Sequence, residues 1–159
     1  MSSPGTPFPP SDQCEDLNSI VAAFAVLSGR YAAELQAAAS EHGLSPQMAV
    51  ALLHLSSVGE TRMSEFARTM ACDAGNLSGT IDRLEEADLV VRTANSLDKR
   101  VRIVRTTPEG RRVATKLKRD LDATRVVAAL RYLDDRERRA LRDTLERLCG
   151  AGHEAAARA

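Results

Sequence analysis

The chain has 159 residues, enough for one domain or for one domain with an added association element. It carries 22 Lys and Arg against 22 Asp and Glu, for a net charge of zero, with 43% hydrophobic and 28% charged residues, a balance that argues against wholesale disorder. Aromatics make up only 3% and Trp is absent, which counts against a single-strand binder that stacks bases on exposed rings. The longest apolar run, residues 20–27, falls far short of the roughly 20 residues that cross a bilayer, so no membrane partner is expected. No Lys or Arg precedes it, so no secretory signal is expected either. Cys14, Cys72 and Cys149 are odd in number and widely spaced, which offers no disulfide framework and suits a reducing, cytoplasmic compartment.

Residues 1–13 hold four of the six prolines and three serines, and read as a disordered leader. Leu17, Ile20, Val21, Phe24, Leu27, Tyr31 and Leu35 then follow helical spacing and predict a long amphipathic first helix that stops near Gly43. Ser45-Pro46 supplies a cap and a first-turn proline for a second helix through about Ser57. That helix is apolar nearly all round and therefore expected to be buried, and Gly59 ends it. Ser64 is read as the cap of a short third helix from Glu65 to about Ala71. Asp73 is the expected cap of a fourth helix, about 74–87, whose buried stripe is Leu77, Ile81 and Leu84. Its opposite face presents Gly75, Asn76, Gly79, Asp82, Arg83 and Glu86. A short helix, a tight turn and a second helix with a polar face form the helix-turn-helix pattern.

Two stretches rich in β-branched residues follow, 89–93 and 101–106, joined by a polar loop with a basic tip. Two strands placed directly after a helix-turn-helix make a winged helix. Thr107-Pro108 then opens a fifth helix, with Val113, Leu117, Leu121, Val127 and Leu130 supplying its apolar spacing. Asp134 or Asp135 starts a sixth, with Leu141, Leu145 and Leu148 along one side. The expected fold is mostly α with a small β-wing. It comprises a leader (1–13), a dimerisation helix (14–44), a winged helix-turn-helix lobe (45–110) and C-terminal dimerisation helices (111–159).

The zero net charge conceals a segregation. Residues 1–58 carry a net of −4, residues 59–119 a net of +4, and residues 120–159 eight charges of each sign. Within the middle block, residues 89–119 hold ten Lys and Arg against only Asp98 and Glu109. Such a local excess is the electrostatic footprint of a phosphate-binding surface, and its bland alternative is a solvated charged face.

In order and spacing, NLSGTIDRLE from Asn76, then Leu89-Val90, then Asp98-Lys99-Arg100, then TPEGR from Thr107 resemble the MarR family of bacterial transcription regulators, over about residues 17–150. The resemblance implies an obligate homodimer built by the first, fifth and sixth helices. It implies a recognition helix in the major groove, a wing in the minor groove, and repression relieved by a small aromatic or phenolic effector, by oxidation or by metal. It also implies that Asp98 holds Arg100 through a salt bridge. Two positions depart from the family pattern. Gly79 stands where many members place a basic or larger polar residue, which thins direct readout, and Thr106 replaces a more typical apolar residue.

The residue chemistry agrees with a double-stranded DNA partner, and the two-fold dimer that the resemblance implies makes its expected operator an inverted repeat. Gly75 lets the fourth helix approach phosphate closely with its N-terminal N–H groups. The Asn76 amide can bond adenine N6 and N7 together. Ser78 and Thr80 contact phosphate or a base edge, or alternatively serve the helix itself. Arg83 positions the helix on phosphate, or pairs with Glu86 or Asp82. Arg100 enters the minor groove and Lys99 adds a backbone contact, against the alternative of a solvated hairpin tip. Ser64 and Arg62 reach phosphate from the third helix. Arg92, Arg102 and Arg105 do so from the strands, with at least one of the three expected to pair with a carboxylate.

Nothing in the spacing of His42, His54 and His153 suggests a metal site, and no catalytic or cofactor motif is present, so neither enzyme activity nor a cofactor is expected. The effector pocket is expected where the dimer helices meet the winged lobe, with Tyr31 and His54 as candidate lining residues, although packing accounts for both equally well. Redox sensing by Cys14 is an alternative mode of regulation, and the nearby Tyr residues that peroxide-sensing relatives carry are incomplete here. A winged-helix module that binds protein instead of DNA is the competing function, though it has no need of the basic Lys99-Arg100 tip.

Overall fold

The computed structural model describes residues 11–70, 74–94 and 101–156, with side chains described for 16–70, 75–94 and 101–149. Helix α1 runs Ser11–Glu41, so it begins inside the stretch read as leader; residues 1–10 lie outside the described part. Its last turns carry buried Leu35, Ala38 and Ala39, whereas its earlier apolar stripe faces outward. Gly43, at φ +68, closes α1. The Leu44 N–H bonds the Ala39 carbonyl at 2.9 Å and the Gly43 N–H bonds that of Ser40 at 3.0 Å, so the last carbonyls are satisfied in a left-handed turn.

Helix α2, Pro46–Val58, starts as expected, with the Ser45 hydroxyl accepting from the Met48 N–H and Pro46 in the first turn. Gly59, at φ +81, ends it. Met48, Ala49, Ala51, Leu52 and Leu55 are buried, because α2 lies at the centre of the lobe against α1, α4 and α5. Strand β1, Glu60–Arg62, is an element the sequence did not announce: three residues, two of them charged, carry no alternation to read. Helix α3, Met63–Thr69, follows at once. Its N-cap is Arg62, which makes no side-chain cap bond, so the expectation of Ser64 as cap is corrected: Ser64 sits inside the first turn. The adjoining β1 sets the start of α3 by fixing the backbone up to Arg62.

Helix α4, Ala74–Glu86, buries Leu77, Ile81 and Leu84 as its periodicity requires. Its expected cap, Asp73, lies outside the described residues. The helix ends in the same left-handed turn as α1, here with Asp88 at φ 57; the Leu89 N–H bonds the Leu84 carbonyl and the Asp88 N–H that of Glu85. Strands β2 (Val90–Ala94) and β3 (Arg102–Thr106) pair antiparallel, and β1 joins the other side of β3, giving a three-stranded sheet of order β1-β3-β2. Val104, between Thr61 and Arg92 in register, is fully buried.

Helix α5, Pro108–Asp122, has Thr107 as its cap, with the hydroxyl accepting from the Gly110 N–H at 2.9 Å. The expectation that this helix continues through Val127 and Leu130 is corrected. It stops at Asp122, and a separate α6, Arg125–Leu130, follows. The six-residue step from Leu121 to Val127 does not keep one helical face, and Val126 is the buried residue of α6. Two groups stabilise the new start. Thr124 is the cap, and the Glu34 carboxylate of α1 accepts from the N–H groups of Arg125 and Val126, at 3.1 and 3.2 Å. Helix α7, Asp135–Ala156, opens on a reciprocal cap: the Asp134 carboxylate accepts from Arg136 and Glu137, and the Glu137 carboxylate accepts from the Asp134 N–H. The architecture is mostly helical with a small antiparallel sheet, as expected, and seven described helices replace the six read from the sequence.

Candidate nucleic-acid interface

The interface is built on α4, whose buried stripe turns its polar side outward. Gly75 and Asn76 are exposed and Gly79 is half-buried. A Cβ placed on Gly79 would meet nothing within 4 Å, so packing does not demand a glycine there; its effect is to lower the outer surface of the helix. The polar side has two flanks. On one, Asn76, Thr80 and Arg83 turn towards α2. On the other, Ser78, Asp82 and Glu85 turn towards β2.

The Thr80 hydroxyl donates to the Asn76 carbonyl at 3.0 Å. Arg83 is exposed and, among the described residues, forms no ion pair with Asp82 or Glu86. Its guanidinium therefore remains available to an anion. Asp82 is engaged instead by Arg92 on β2, at 2.5 Å, and the same Nη1 reaches Glu85 at 2.9 Å. Arg92 Nη2 donates to the Ser78 carbonyl at 3.1 Å. Of the three strand arginines, Arg92 is thus the one paired with carboxylates among the described residues, while Arg102 and Arg105 are exposed. Ser64 and Arg62 are also exposed, at the start of α3. Asp98, Lys99 and Arg100 lie outside the described residues, between the ends of β2 and β3.

Beside the first flank, α1, α2 and α4, with Met70 at the end of α3, border a half-open cavity of about 670 Å³. Leu35, Val50, Leu77 and Met70 supply apolar lining, and Asn76 and Arg83 supply polar lining. Among the described residues, Arg83 is the one charged side chain in that lining. Tyr31 and His54 do not border this space. Tyr31 lies exposed on α1, and the half-buried His54 stacks on buried Phe66, with ring centroids 5.2 Å apart and planes 12° from parallel, as a packed histidine would. The sequence contained no signal for the cavity, because its walls come from three helices far apart in the chain. The side chain of Cys14, and all of Cys72, fall outside the described part; Cys149 is exposed on α7. Among the described residues, no group of three or more His, Cys, Asp or Glu is placed to hold a metal ion. No described helix is long and apolar enough to cross a membrane.

Residues 44–101, from the start of α2 through the wing, match the model of the MarR family. That segment resembles the winged helix of the MarR family. Among solved structures, a probable transcriptional regulator from Pseudomonas aeruginosa is 29% identical, with a TM-score of 0.63, covering 81% of this chain and 96% of its own. CouR from Rhodococcus jostii RHA1, bound to p-coumaroyl-CoA, is also 29% identical, with a TM-score of 0.71 and coverage of 82% and 91%. A MarR mutant from E. coli complexed with operator DNA shares the fold at 18% identity, with a TM-score of 0.67 and coverage of 84% and 95%. No curated protein matches the chain by sequence. The likeness to these solved structures extends beyond the segment that the family model matches.

Proposed function

We propose that the chain is a homodimeric DNA-binding regulator of transcription, a repressor that holds an inverted-repeat operator until a small effector releases it. The observation that carries the reading is the α4 surface: a helix with its bulk removed at Gly75 and Gly79, flanked by Asn76 and by an Arg83 without an ion pair among the described residues. That surface suits insertion into the major groove, with Asn76 reading adenine and Arg83 on phosphate. Ser78, through its hydroxyl, and Ser64 add phosphate contacts. Arg100, steadied by Asp98 and helped by Lys99, reads the minor groove from the wing. The operator-bound MarR structure, of the same fold, supports this arrangement. A regulator of this kind works where the chromosome is, in the cytoplasm.

Dimerisation is supported by what the single chain leaves uncovered. Leu17, Val21 and Phe24 of α1 are 58, 65 and 57% exposed, and Leu141, Leu145 and Leu148 of α7 also face outward. Stripes of that length on two helices are what a partner covers, and two-fold pairing would place two copies of α4 on successive turns of DNA.

The cavity is the proposed effector site. Apolar walls with one cation suit a small aromatic acid, its ring within and its carboxylate on Arg83. Because Asn76 and Arg83 would serve both ligands, occupation of the cavity and of DNA would compete. CouR, bound to an aromatic thioester, supports an aromatic effector.

Selection of random-sequence duplex by the purified protein, followed by titration with aryl carboxylates, tests the reading. The expected result is an inverted repeat, released by acid in the wild type and retained in a Val50→Phe variant whose cavity is filled. Recovery of no preferred duplex across moderate salt would overturn it.

A further inference from the structure

Helix α4 is an unusual surface to offer to a polyanion. Between Ala74 and Glu86 it carries one basic side chain, Arg83, and three acidic ones, Asp82, Glu85 and Glu86, a net of −2. A carboxylate directed at phosphate opposes binding, more strongly where water is excluded. The structure shows where most of this charge goes. Arg92, on the neighbouring strand β2, directs its guanidinium back onto the helix. One nitrogen reaches Asp82 Oδ1 at 2.5 Å and Glu85 Oε2 at 2.9 Å, and the other donates to the Ser78 carbonyl at 3.1 Å. The Arg92 backbone N–H donates to the second Glu85 oxygen at 3.0 Å. The Arg92 side chain is only 21% exposed, against 52% for Asp82 and 38% for Glu85. Thus one cation, largely enclosed, draws two carboxylates to the strand side of the helix and joins three successive turns of α4 to the sheet that bears the wing.

We propose that Arg92 is the internal counter-ion and positioning residue of the recognition helix: it neutralises Asp82 and Glu85, sets α4 against β2, and makes no contact with DNA itself. The proposal rests on the DNA-binding reading above and assigns to this arginine a role opposite to that of a phosphate contact. The two roles separate by charge arithmetic. A phosphate contact releases counter-ions, so its loss flattens the dependence of log K on log salt by about 0.9. An arginine already satisfied by two carboxylates releases none. Its loss also becomes harmless once the carboxylates are removed with it, whereas the loss of a phosphate contact does not.

The test uses the duplex recovered by wild-type selection and three proteins: wild type, Arg92→Gln, and the triple variant Asp82→Asn, Glu85→Gln, Arg92→Gln. Arg92→Gln is expected to weaken binding about tenfold, in the range of coupled charge networks, with an unchanged salt slope. The triple variant is expected within about threefold of wild type, because neither position 82 nor position 85 then presents an uncompensated carboxylate. A slope reduced by about 0.9 in Arg92→Gln, or a triple variant as weak as Arg92→Gln, would overturn the proposal. Thermal melts report whether each protein folds. Should Arg92→Gln alone fail to fold, the triple variant, close in shape and free of stranded charge, decides by itself: binding like wild type sustains the proposal and weak binding overturns it. If wild type prefers no duplex, the DNA-binding reading fails, and this role with it.

Discussion

A methyl group on Gly110 would sit 1.9 Å from the carbonyl oxygen of Leu89. The first turn of α5 is therefore seated on the chain that leaves α4, with no space between. Two hydrogen bonds complete the joint: the Thr107 N–H to the Leu89 carbonyl at 3.0 Å, and the Thr107 hydroxyl to the Asp88 carbonyl at 2.7 Å. Because the obstructing atom is backbone, no rotamer change relieves a side chain at position 110. Gly110→Ala is expected to lower stability by about 3 kcal/mol or more, the upper range for overpacking. Urea denaturation checks this, and a loss below about 1 kcal/mol would mean that the α4–α5 joint yields readily.

His42 and Asp120 form a second long-range tie, Nε2 to Oδ2 at 2.7 Å across 78 positions of sequence, between the turn after α1 and the end of α5. Both are partly screened by solvent, so the interaction is modest. A double-mutant cycle of His42→Ala and Asp120→Ala is expected to show a coupling of about 1 kcal/mol, the upper end for partly exposed pairs. Additive losses in thermal melts would remove this contact from the set that holds α1 on the lobe.

The proposed dimer predicts that charge on the α1 stripe separates the subunits. Phe24→Glu, at a side chain 57% exposed in the single chain, is expected to leave the monomer folded while shifting the sedimentation coefficient to that of one chain. Operator affinity should fall with it, since one recognition helix then binds alone. An unchanged sedimentation coefficient would place the subunit contact elsewhere.

Direct and positional contacts should differ in kind. Asn76→Ala is expected to cost about 1–3 kcal/mol on the preferred duplex and to relax selectivity at one base pair of each half-site. Lys99→Ala is expected to weaken all duplexes alike and to reduce the salt slope by about 1 for each subunit's lost contact. Binding titrations at several salt concentrations, on the preferred duplex and on variants of it, distinguish the two. An Asn76→Ala variant that keeps full selectivity would assign the reading to another side chain.

Much of the fold was legible because its signals are local. Ser45-Pro46 and Thr107-Pro108 start helices by satisfying or dispensing with first-turn N–H groups, which depends only on neighbouring residues. The spacing of Leu77, Ile81 and Leu84 determined which side of α4 is buried, and so which side faces outward. What stayed hidden was set between distant segments. Strand β1 exists because Glu60–Arg62 meets the free side of β3, not through any β pattern of its own. The break before α6 depends on a Glu34 carboxylate that arrives from 91 positions away. The cavity is a gap between three helices, and Arg92 could be read as a phosphate contact until the turn from α4 into β2 brought it against Asp82 and Glu85. Periodicity and capping act within a few residues of chain, and so the sequence by itself determined the helices, their buried faces and the order of the winged helix. Ion pairs, cavities and short edge strands depend on how those pieces meet, and only the tertiary structure decided which carboxylates on α4 are paired with Arg92.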